Sequence, residues 1–217
     1  MSNSSEWNDD FTQVIESWPA RLYRAICRKR SKIHSYCVIT PEKTVLDVGC
    51  ATGSGLKFLR EIGFQNLYGI DLDSYLLKIV PKSLAKLCKG SVEKMPFEDE
   101  SFDYILCQNI LHHLTSLNEY SIASDEMFRV LKPGGIIFIS EPARYGFYRY
   151  LKKGVKIAAL FSDLFKKWGN MIKEEDAIQS VFMREHDSLR KYLIGMDFIP
   201  LVDSYFLLNW NFTIKKT

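Results

Sequence analysis

Two aspartates and a glycine-rich turn are the residues best suited to bind a ligand. The segment Val45–Gly55 reads VLDVGCATGSG, in which Asp47 lies among apolar residues and the glycines permit close approach of the backbone to a ligand. Asp71 ends the next apolar stretch, eighteen positions after Gly53. This is near the ~20-residue offset at which a carboxylate accepts hydrogen bonds from ribose hydroxyls. We therefore predict a nucleoside site in which Asp71 holds the ribose. The alternative role for Asp71, capping the next helix, suits Asp73 or Ser74 better.

The turn lacks the spacing of the common phosphate-binding loops. A dinucleotide fingerprint would place glycine where Ala51 and Ser54 stand, and a P-loop would end in Gly-Lys-Ser/Thr, whereas this segment continues Leu56-Lys57-Phe58. A ligand without phosphates still requires close backbone approach and a ribose acceptor. The residues therefore favour a nucleoside ligand without phosphate groups.

The elements that position these residues alternate between strands and helices. Apolar patterns predict five strands, the first around Val45–Val48 and the others at Asn66–Asp71, Leu87–Val92, Phe102–Cys107 and Ile136–Ser140. Helical patterns follow at Leu56–Ile62, from Ser74 towards Pro81, at Asn118–Leu131 and at Asp187–Leu193, and a hairpin is predicted over Phe198–Leu208 and Asn209–Lys215. This alternation predicts a mainly parallel, doubly wound α/β sheet with its ligand crevice at the carboxyl ends of the strands.

The amino-acid composition is typical of a soluble globular enzyme. The 217 residues are 47% hydrophobic and 25% charged, and the net charge of +3 is too small to imply a nucleic-acid partner. Five scattered cysteines without a C-x-x-C pair predict reduced thiols and no zinc site. The polar amino terminus does not resemble a signal peptide, and no apolar run approaches ~20 residues. We expect a cytoplasmic protein.

Two stretches of the chain are strongly basic. Arg21–Lys32 contains no acidic residue, and Arg144–Lys167 contains one, Asp163. The second stretch lies in a region, residues 141–179, where aromatic side chains interleave with the lysines. The simpler interpretation is solvated helix faces and an amphipathic lid packed on the sheet. The alternatives are contact with an amphiphilic or anionic acceptor, with a membrane surface, or with single-stranded RNA.

Five segments, VLDVGCATG, YGIDLD, GSVEKMPF, FDYILCQNILHHL and LKPGGIIFISEP, together resemble class I S-adenosylmethionine-dependent methyltransferases. The nearest branch is the small-molecule type that includes ubiquinone/menaquinone C-methyltransferases, and the resemblance covers Thr44–Pro142. It implies a Rossmann-like three-layer sandwich whose seven-stranded, mostly parallel sheet has an antiparallel C-terminal strand. The expected organisation is an N-terminal helical cap (1–40), a cofactor-binding core (41–142), a helical substrate lid (143–186), and a C-terminal helix and hairpin (187–217).

The resemblance implies S-adenosylmethionine as cofactor and S-adenosylhomocysteine as product. Asp47 would orient the methionine ammonium, Asp71 would bind the ribose and Leu72 would lie against the adenine. At position 91 the family usually has an aspartate that accepts a hydrogen bond from the adenine amino group. Ser91 is a neutral acceptor there, which is expected to lower the binding free energy of the cofactor by about 1–2 kcal/mol. The other implied contacts are Gly49, Cys50, Ala51 and Gly53 around the methionine part, Val92 at the adenine, and Gln108 near the methyl group.

Methyl transfer to an acceptor relies on alignment and on exclusion of water, and a general base is needed only when the acceptor must lose a proton. The candidates are His112, His113, Glu141, Tyr145 and His186. We predict His112 and His113 as catalytic, with structural capping as the alternative for at least one of them. Glu141 and Tyr145 are predicted substrate contacts, and a turn cap is the alternative for Glu141.

The absence of several motifs narrows the class of molecule that could accept the methyl group. The N/D-P-P-Y/F motif of amino-methylating nucleic-acid enzymes is replaced by Cys107-Gln108-Asn109-Ile110, and no Pro-Cys dipeptide is present. Cys107 also replaces the first acidic ligand of metal-dependent catechol-type enzymes, so we predict no metal. A small-molecule acceptor is the leading prediction. The alternatives are an RNA methyltransferase and a non-catalytic S-adenosylmethionine-binding protein, and the sequence does not indicate an oligomeric state.

Overall fold

A seven-stranded sheet organises the protein. The computed structural model describes residues 36–142, 182, 184–206 and 209–217. The spatial order of the strands is β3-β2-β1-β4-β5-β7-β6. β1 to β5 are parallel, whereas β7 runs antiparallel to both of its neighbours. This confirms the predicted fold class. The strands are β1 (Thr44–Val48), β2 (Asn66–Asp71), β3 (Lys86–Lys89), β4 (Phe102–Gln108), β5 (Leu131–Pro142), β6 (Phe198–Phe206) and β7 (Asn209–Lys216).

Helices connect the strands, and two of them begin at side-chain caps that the sequence supplies. Asp73 caps the second helix by accepting a hydrogen bond from the Tyr75 N–H (2.7 Å). Asp73 was one of the predicted caps. Ser116 caps the third by accepting from the Glu119 N–H (3.2 Å). The helices are α1 (Ser54–Glu61), α2 (Ser74–Ile79), a 3₁₀ turn (Leu111–His113), α3 (Leu117–Val130) and a C-terminal helix over residues 184–195.

The sheet is covered on both faces, which gives three layers. Successive strand residues point to opposite faces, so in β1 Leu46 and Val48 enter one apolar cluster and Val45 enters the other. The first cluster packs against α3 and the C-terminal helix, through Met127 and Leu189 among others. The second packs against α1 and the residues around α2. Both faces are buried, as expected for parallel strands.

Two strand boundaries differ from the predictions. β3 ends at Lys89, because the residues predicted to continue it form a tight turn bridged between Ser91 and Lys94. β5 begins at Leu131 instead of Ile136, and so includes the Lys-Pro-Gly-Gly stretch, whose residue types favour a turn. Its pairing with β4 shifts register between Phe102 and Tyr104, so the stretch is accommodated as an irregularity within the ladder.

A charged cluster joins the strands at the end of the sheet opposite the glycine-rich turn. The Asp103 carboxylate accepts hydrogen bonds from Lys43 Nζ (2.8 Å), Lys132 Nζ (3.0 Å) and the Thr44 N–H (2.9 Å). Burial opposes ionisation of Asp103, but these donors hold the pKa of its carboxyl well below the usual range. The cluster ties the beginnings of β1, β4 and β5 together.

The predicted N-terminal cap (1–40) and lid (143–186) lie almost entirely outside the described residues, and these domain boundaries stay predictions. Among the residues that the structure describes, no helix has the length and apolar character needed to cross a membrane.

Candidate active site

The turn between β1 and α1 is sharply bent and fixed to β2. Gly49, Ala51 and Gly53 all have left-handed backbone angles (φ +65°, +44° and +78°). The N–H groups of Gly49 and Cys50 both donate to the Ile70 carbonyl, at 2.8 and 3.1 Å. These bonds hold the turn at the carboxyl end of the neighbouring strand, where ligands bind in parallel α/β sheets.

Two glycines of this turn leave space for particular neighbours. A Cβ at Gly49 would overlap the side chain of Ile110, which lies over the turn from the end of β4. A Cβ at Gly55 would lie 2.9 Å from Cγ of Asp47 and closer still to its Oδ2. The buried Asp47 carboxylate (4% exposed) is therefore in contact with the first turn of α1, where the helix dipole favours negative charge. The sequence predictions included neither Gly55 nor Ile110 among the site residues.

Asp71 connects the turn to the end of β2. Its Oδ2 accepts from the Ala51 N–H (2.9 Å) and its Oδ1 accepts from the Asp73 N–H (2.8 Å). A carboxylate offers about four acceptor positions, so each oxygen retains capacity for a further donor. Leu72, directly after it, is 66% exposed. Asp71 is thus held in one orientation at the crevice, beside an exposed apolar side chain.

Cys50 points away from the crevice. Its buried thiol packs against β2, where a Cβ on Gly69 would come within 2.8 Å of Sγ. Burial, followed by the nearby Asp47 and Asp71 charges, raises the pKa of this thiol far above its ordinary value. Cys50 therefore offers a ligand only its backbone.

Ser91 is held in its own turn. Its Oγ accepts from the Glu93 N–H (3.1 Å) and lies 3.4 Å from Oε2 of Glu93. The adjacent Val92 side chain is buried in the core beside Met95. The turn is near Asp71, since the Gly90 N–H donates to the Asp71 carbonyl (3.0 Å). The predicted adenine contacts of Ser91 and Val92 stay predictions.

Gln108 is the last residue of β4, paired with Ser140 of β5, where the sequence pattern predicted it just beyond the strand. Asn109 follows with a left-handed backbone (φ +56°), and its N–H donates to the Ser140 carbonyl (3.0 Å). Because Val48 of β1 pairs with Cys107, Gln108 lies at the same end of the sheet as the glycine-rich turn.

Glu141 caps the 3₁₀ turn that follows β4. Its side chain is fully buried, and its Oε1 accepts from the N–H groups of Ile110 and Leu111, both at 2.9 Å. Oε2 lies 2.8 Å from Nδ1 of His112 and accepts from the His112 N–H at 3.4 Å. Through these contacts Glu141 acts as a cap of the turn, which was the alternative to a substrate contact. The substrate contact of Glu141 stays a prediction.

The two adjacent histidines differ in environment. The His112 side chain is buried, whereas His113 is exposed, and their rings are 4.1 Å apart between centroids. His186 lies elsewhere, in an aromatic cluster with Phe182 and Trp210 at 5.7 and 4.4 Å. Burial lowers the pKa of His186, although the neighbouring Asp187 opposes the shift. Tyr145 lies outside the described residues.

Within the ranges that the structure describes, no group of three or more His, Cys, Asp or Glu side chains is arranged to hold a metal ion.

Known proteins are similar to the segment that contains the glycine-rich turn. Residues 46–139 match the family described as "Methyltransferase domain". The sterol 24-C-methyltransferase of Schizosaccharomyces pombe is 36% identical over 111 residues, covering 48% of this chain and 29% of that protein. The demethylmenaquinone methyltransferase of Geobacillus stearothermophilus is 34% identical over 117 residues, covering 48% of this chain and 49% of that protein. The chain thus spans half or less of the length of these relatives.

Solved structures resemble the fold over a longer range. The PH0226 protein of Pyrococcus horikoshii has a TM-score of 0.72 at 16% identity, with 98% of this chain and 99% of that chain covered. An S-adenosylmethionine-dependent methyltransferase from Mesorhizobium loti has a TM-score of 0.59 at 13% identity, with 85% of this chain and 95% of that chain covered. At these identities the likeness concerns the fold alone. The sequence match at residues 46–139 shows that this segment is similar to the methyltransferase domain.

Proposed function

We propose that the protein transfers a methyl group from S-adenosylmethionine to a small apolar or amphiphilic acceptor. The observation that carries this proposal is the fixed Asp71 carboxylate, which the backbone of the glycine-rich turn holds at the crevice while acceptor capacity remains. Two similar proteins, a sterol 24-C-methyltransferase and a demethylmenaquinone methyltransferase, favour an apolar acceptor. The acceptor itself is part of the proposal.

The chemistry of the crevice residues fits this cofactor. A buried carboxylate beside a helix N-terminus, Asp47, suits the ammonium of the methionine part, through the backbone of the turn. Asp71 suits the paired ribose hydroxyls, because a carboxylate accepts from two donors at once. The exposed Leu72 suits an aromatic base face. We assign these three residues to cofactor binding, together with the backbone of residues 49–53.

When bound, S-adenosylmethionine supplies a methyl group activated by its sulfonium. What the chain must contribute is alignment of the acceptor and a closed, dry crevice. We propose Gln108, at the end of β4, as a residue that faces the reacting end. Where the acceptor has an ionisable proton, we propose the exposed His113 as the group that accepts it, because a base must reach the acceptor.

Glu141 and His112 serve this arrangement as positioning residues. Their contacts fix the backbone of residues 110–112, which leads directly to His113. A change at either is expected to displace the turn, whereas a change at His113 should affect only transfer. Substitution His113→Ala should lower kcat for hydroxyl acceptors and leave cofactor binding unchanged.

The deciding experiment is a thermal shift with S-adenosylmethionine and S-adenosylhomocysteine. Both should raise the Tm, and Asp71→Ala should remove most of the shift, while Asp197→Ala, at an exposed position, should retain it. No stabilisation of the wild-type protein by either ligand would overturn the proposal.

Transfer of labelled methyl groups to a quinol, a sterol and bulk RNA then separates the remaining functions. Incorporation into RNA alone would favour an RNA methyltransferase. Cofactor binding without incorporation into any acceptor, including total lipid and cell extracts, would favour a non-catalytic binding protein.

A further inference from the structure

The surface formed by α2, the turn after it and β3 combines exposed lysines with exposed apolar side chains. Residues 74–94 contain five lysines, one acidic residue (Glu93) and no arginine. All five lysines are exposed, and so are Tyr75 (44%) and Ile79 (43%). We define the α2–β3 surface by the exposed residues Tyr75, Lys78, Ile79, Lys82, Lys86 and Lys89.

The helix presents these residues on one side. Tyr75, Lys78 and Ile79 are separated by three and four positions, so they share the outward face of α2. Leu76 and Val80 are buried on the inward side. The outward face therefore carries a lysine between two apolar side chains, so charged and apolar groups can contact a lipid surface together.

Protection of the sheet edge accounts for only part of this surface. β3 is an edge strand, and lysines on edge strands prevent pairing with other chains. Lys86 also has a partner, since its Nζ donates to the Tyr68 hydroxyl (3.0 Å) and lies over the Tyr68 ring. Lys78, Lys82 and the exposed Tyr75 and Ile79 do not lie on the strand, so edge protection does not explain them.

We propose that the α2–β3 surface docks on anionic lipid membranes. Lysines act there as point charges attracted to acidic headgroups, while tyrosine and isoleucine enter the interfacial layer. RNA is a weaker match, because its recognition relies on arginine and on several stacking aromatic rings, and this surface has no arginine and one ring.

The surface borders the crevice. α2 begins three residues after Asp71, and Lys89 of β3 pairs in register with Asp71 itself. Docking would hold the mouth of the crevice close to the lipid. The consequence that the acceptor is taken from the membrane rests on the proposed function, whereas docking itself does not.

Vesicle sedimentation tests the proposal. The full chain should bind phosphatidylcholine vesicles that contain phosphatidylglycerol, bind pure phosphatidylcholine weakly, and dissociate in 0.5 M salt, because screening shortens the range of the attraction. The double substitution Lys78→Gln/Lys82→Gln should weaken partitioning about 30-fold, or about fivefold per lysine. Ile79→Ser should weaken it without altering the salt dependence.

The matched control is Lys191→Gln/Lys215→Gln. It removes the same charge from exposed positions on the C-terminal helix and β7, far from β3 across the sheet. Residues 21–32 and 144–167 are also basic, so the comparison between the two double variants is the decisive measurement. Equal partitioning of the two, or equal binding to both vesicle types, would overturn the proposal.

Two further measurements separate the remaining outcomes. Loss of single-stranded RNA binding in Lys78→Gln/Lys82→Gln, without loss of vesicle binding, would assign the surface to RNA and overturn the lipid proposal. Thermal shift with S-adenosylmethionine is recorded on every variant. Lysine-dependent vesicle binding by a protein that S-adenosylmethionine does not stabilise would support the surface and refute the proposed function.

Discussion

Oε2 of Glu141 lies 2.8 Å from Nδ1 of His112, and the two side chains are 0% and 3% exposed. This carboxylate also accepts hydrogen bonds from the backbone N–H groups of Ile110, Leu111 and His112. The contact between the two side chains holds the plane of the His112 ring. The pair joins the end of β5 to the turn after β4.

Replacing Glu141 by glutamine tests this relationship. The amide would turn a donor group towards N–H donors, so we expect a loss of about 3 kcal/mol in the free energy of unfolding, measured by urea denaturation. The control is Glu98→Gln, at an exposed position, which should change stability by less than about 0.5 kcal/mol. A Glu141→Gln variant as stable as this control would contradict the capping role.

Gly55→Ala should disturb the Asp47 carboxylate. The added methyl group would overlap Oδ2, so either the helix or the carboxylate must move, at a cost of about 1–3 kcal/mol. We expect lower stability and weaker binding of S-adenosylmethionine, measured by denaturation and calorimetry. Gly195→Ala is the matched control, because a Cβ there meets nothing within 4 Å. Similar effects of the two substitutions would refute the close approach.

Asp103→Asn should reduce stability without affecting the crevice. Lys43 and Lys132 are 38% and 39% exposed, so solvent screens the interaction and we expect a loss of about 1 kcal/mol at neutral pH. Since the folded protein depresses the pKa of Asp103, its contribution is complete above the unfolded value near 4 and disappears as the pH falls further. The difference between wild type and variant should shrink in acid. A constant difference from pH 7 to pH 2 would contradict this assignment.

The buried His186 should make the stability of the fold depend on pH in the neutral range. Because burial lowers its pKa in the folded protein, the unfolded chain binds a proton more readily as the pH falls below about 6.5. Stability should therefore decrease from pH 7 towards pH 5. His186→Phe should reduce that slope by up to about 1.4 kcal/mol per pH unit. Identical slopes in the two proteins would show that His186 does not titrate differently on folding.

Local patterns were sufficient to predict most of the sheet. The alternation of apolar stretches, the glycine-rich turn and the offset to Asp71 located β1, β2, β4 and the crevice. The cap of α2 was predicted as Asp73 or Ser74, and the structure shows Asp73. These features depend on residues close together in the chain. The start of β5 was missed because a Pro-Gly-Gly stretch signals a turn locally, whereas pairing with β4 retains it in the sheet.

Contacts between distant residues were not predictable in the same way. The packing of Ile110 over Gly49 joins positions 61 residues apart, and the proximity of Gly55 to Asp47 depends on how α1 meets β1. For Glu141 the sequence left a turn cap and a substrate contact open, and only the burial of the carboxylate against residues 110–112 shows the cap. A search for an acidic residue at a strand end beside a short turn that contains histidine would have found this pair.

The pairing of Pro142 with Asn209 has an evolutionary consequence. The chain leaves β5 at Pro142 and returns to the scaffold in the C-terminal helix and β6, before β7 pairs with β5. Each doubling in length of such a segment costs only about 0.6 kcal/mol of closure entropy. Residues 143–181, between β5 and the C-terminal helix, can therefore lengthen and diversify among descendants while the strands and the C-terminal helix stay under selection. Acceptor preference should drift faster than cofactor use across related genomes.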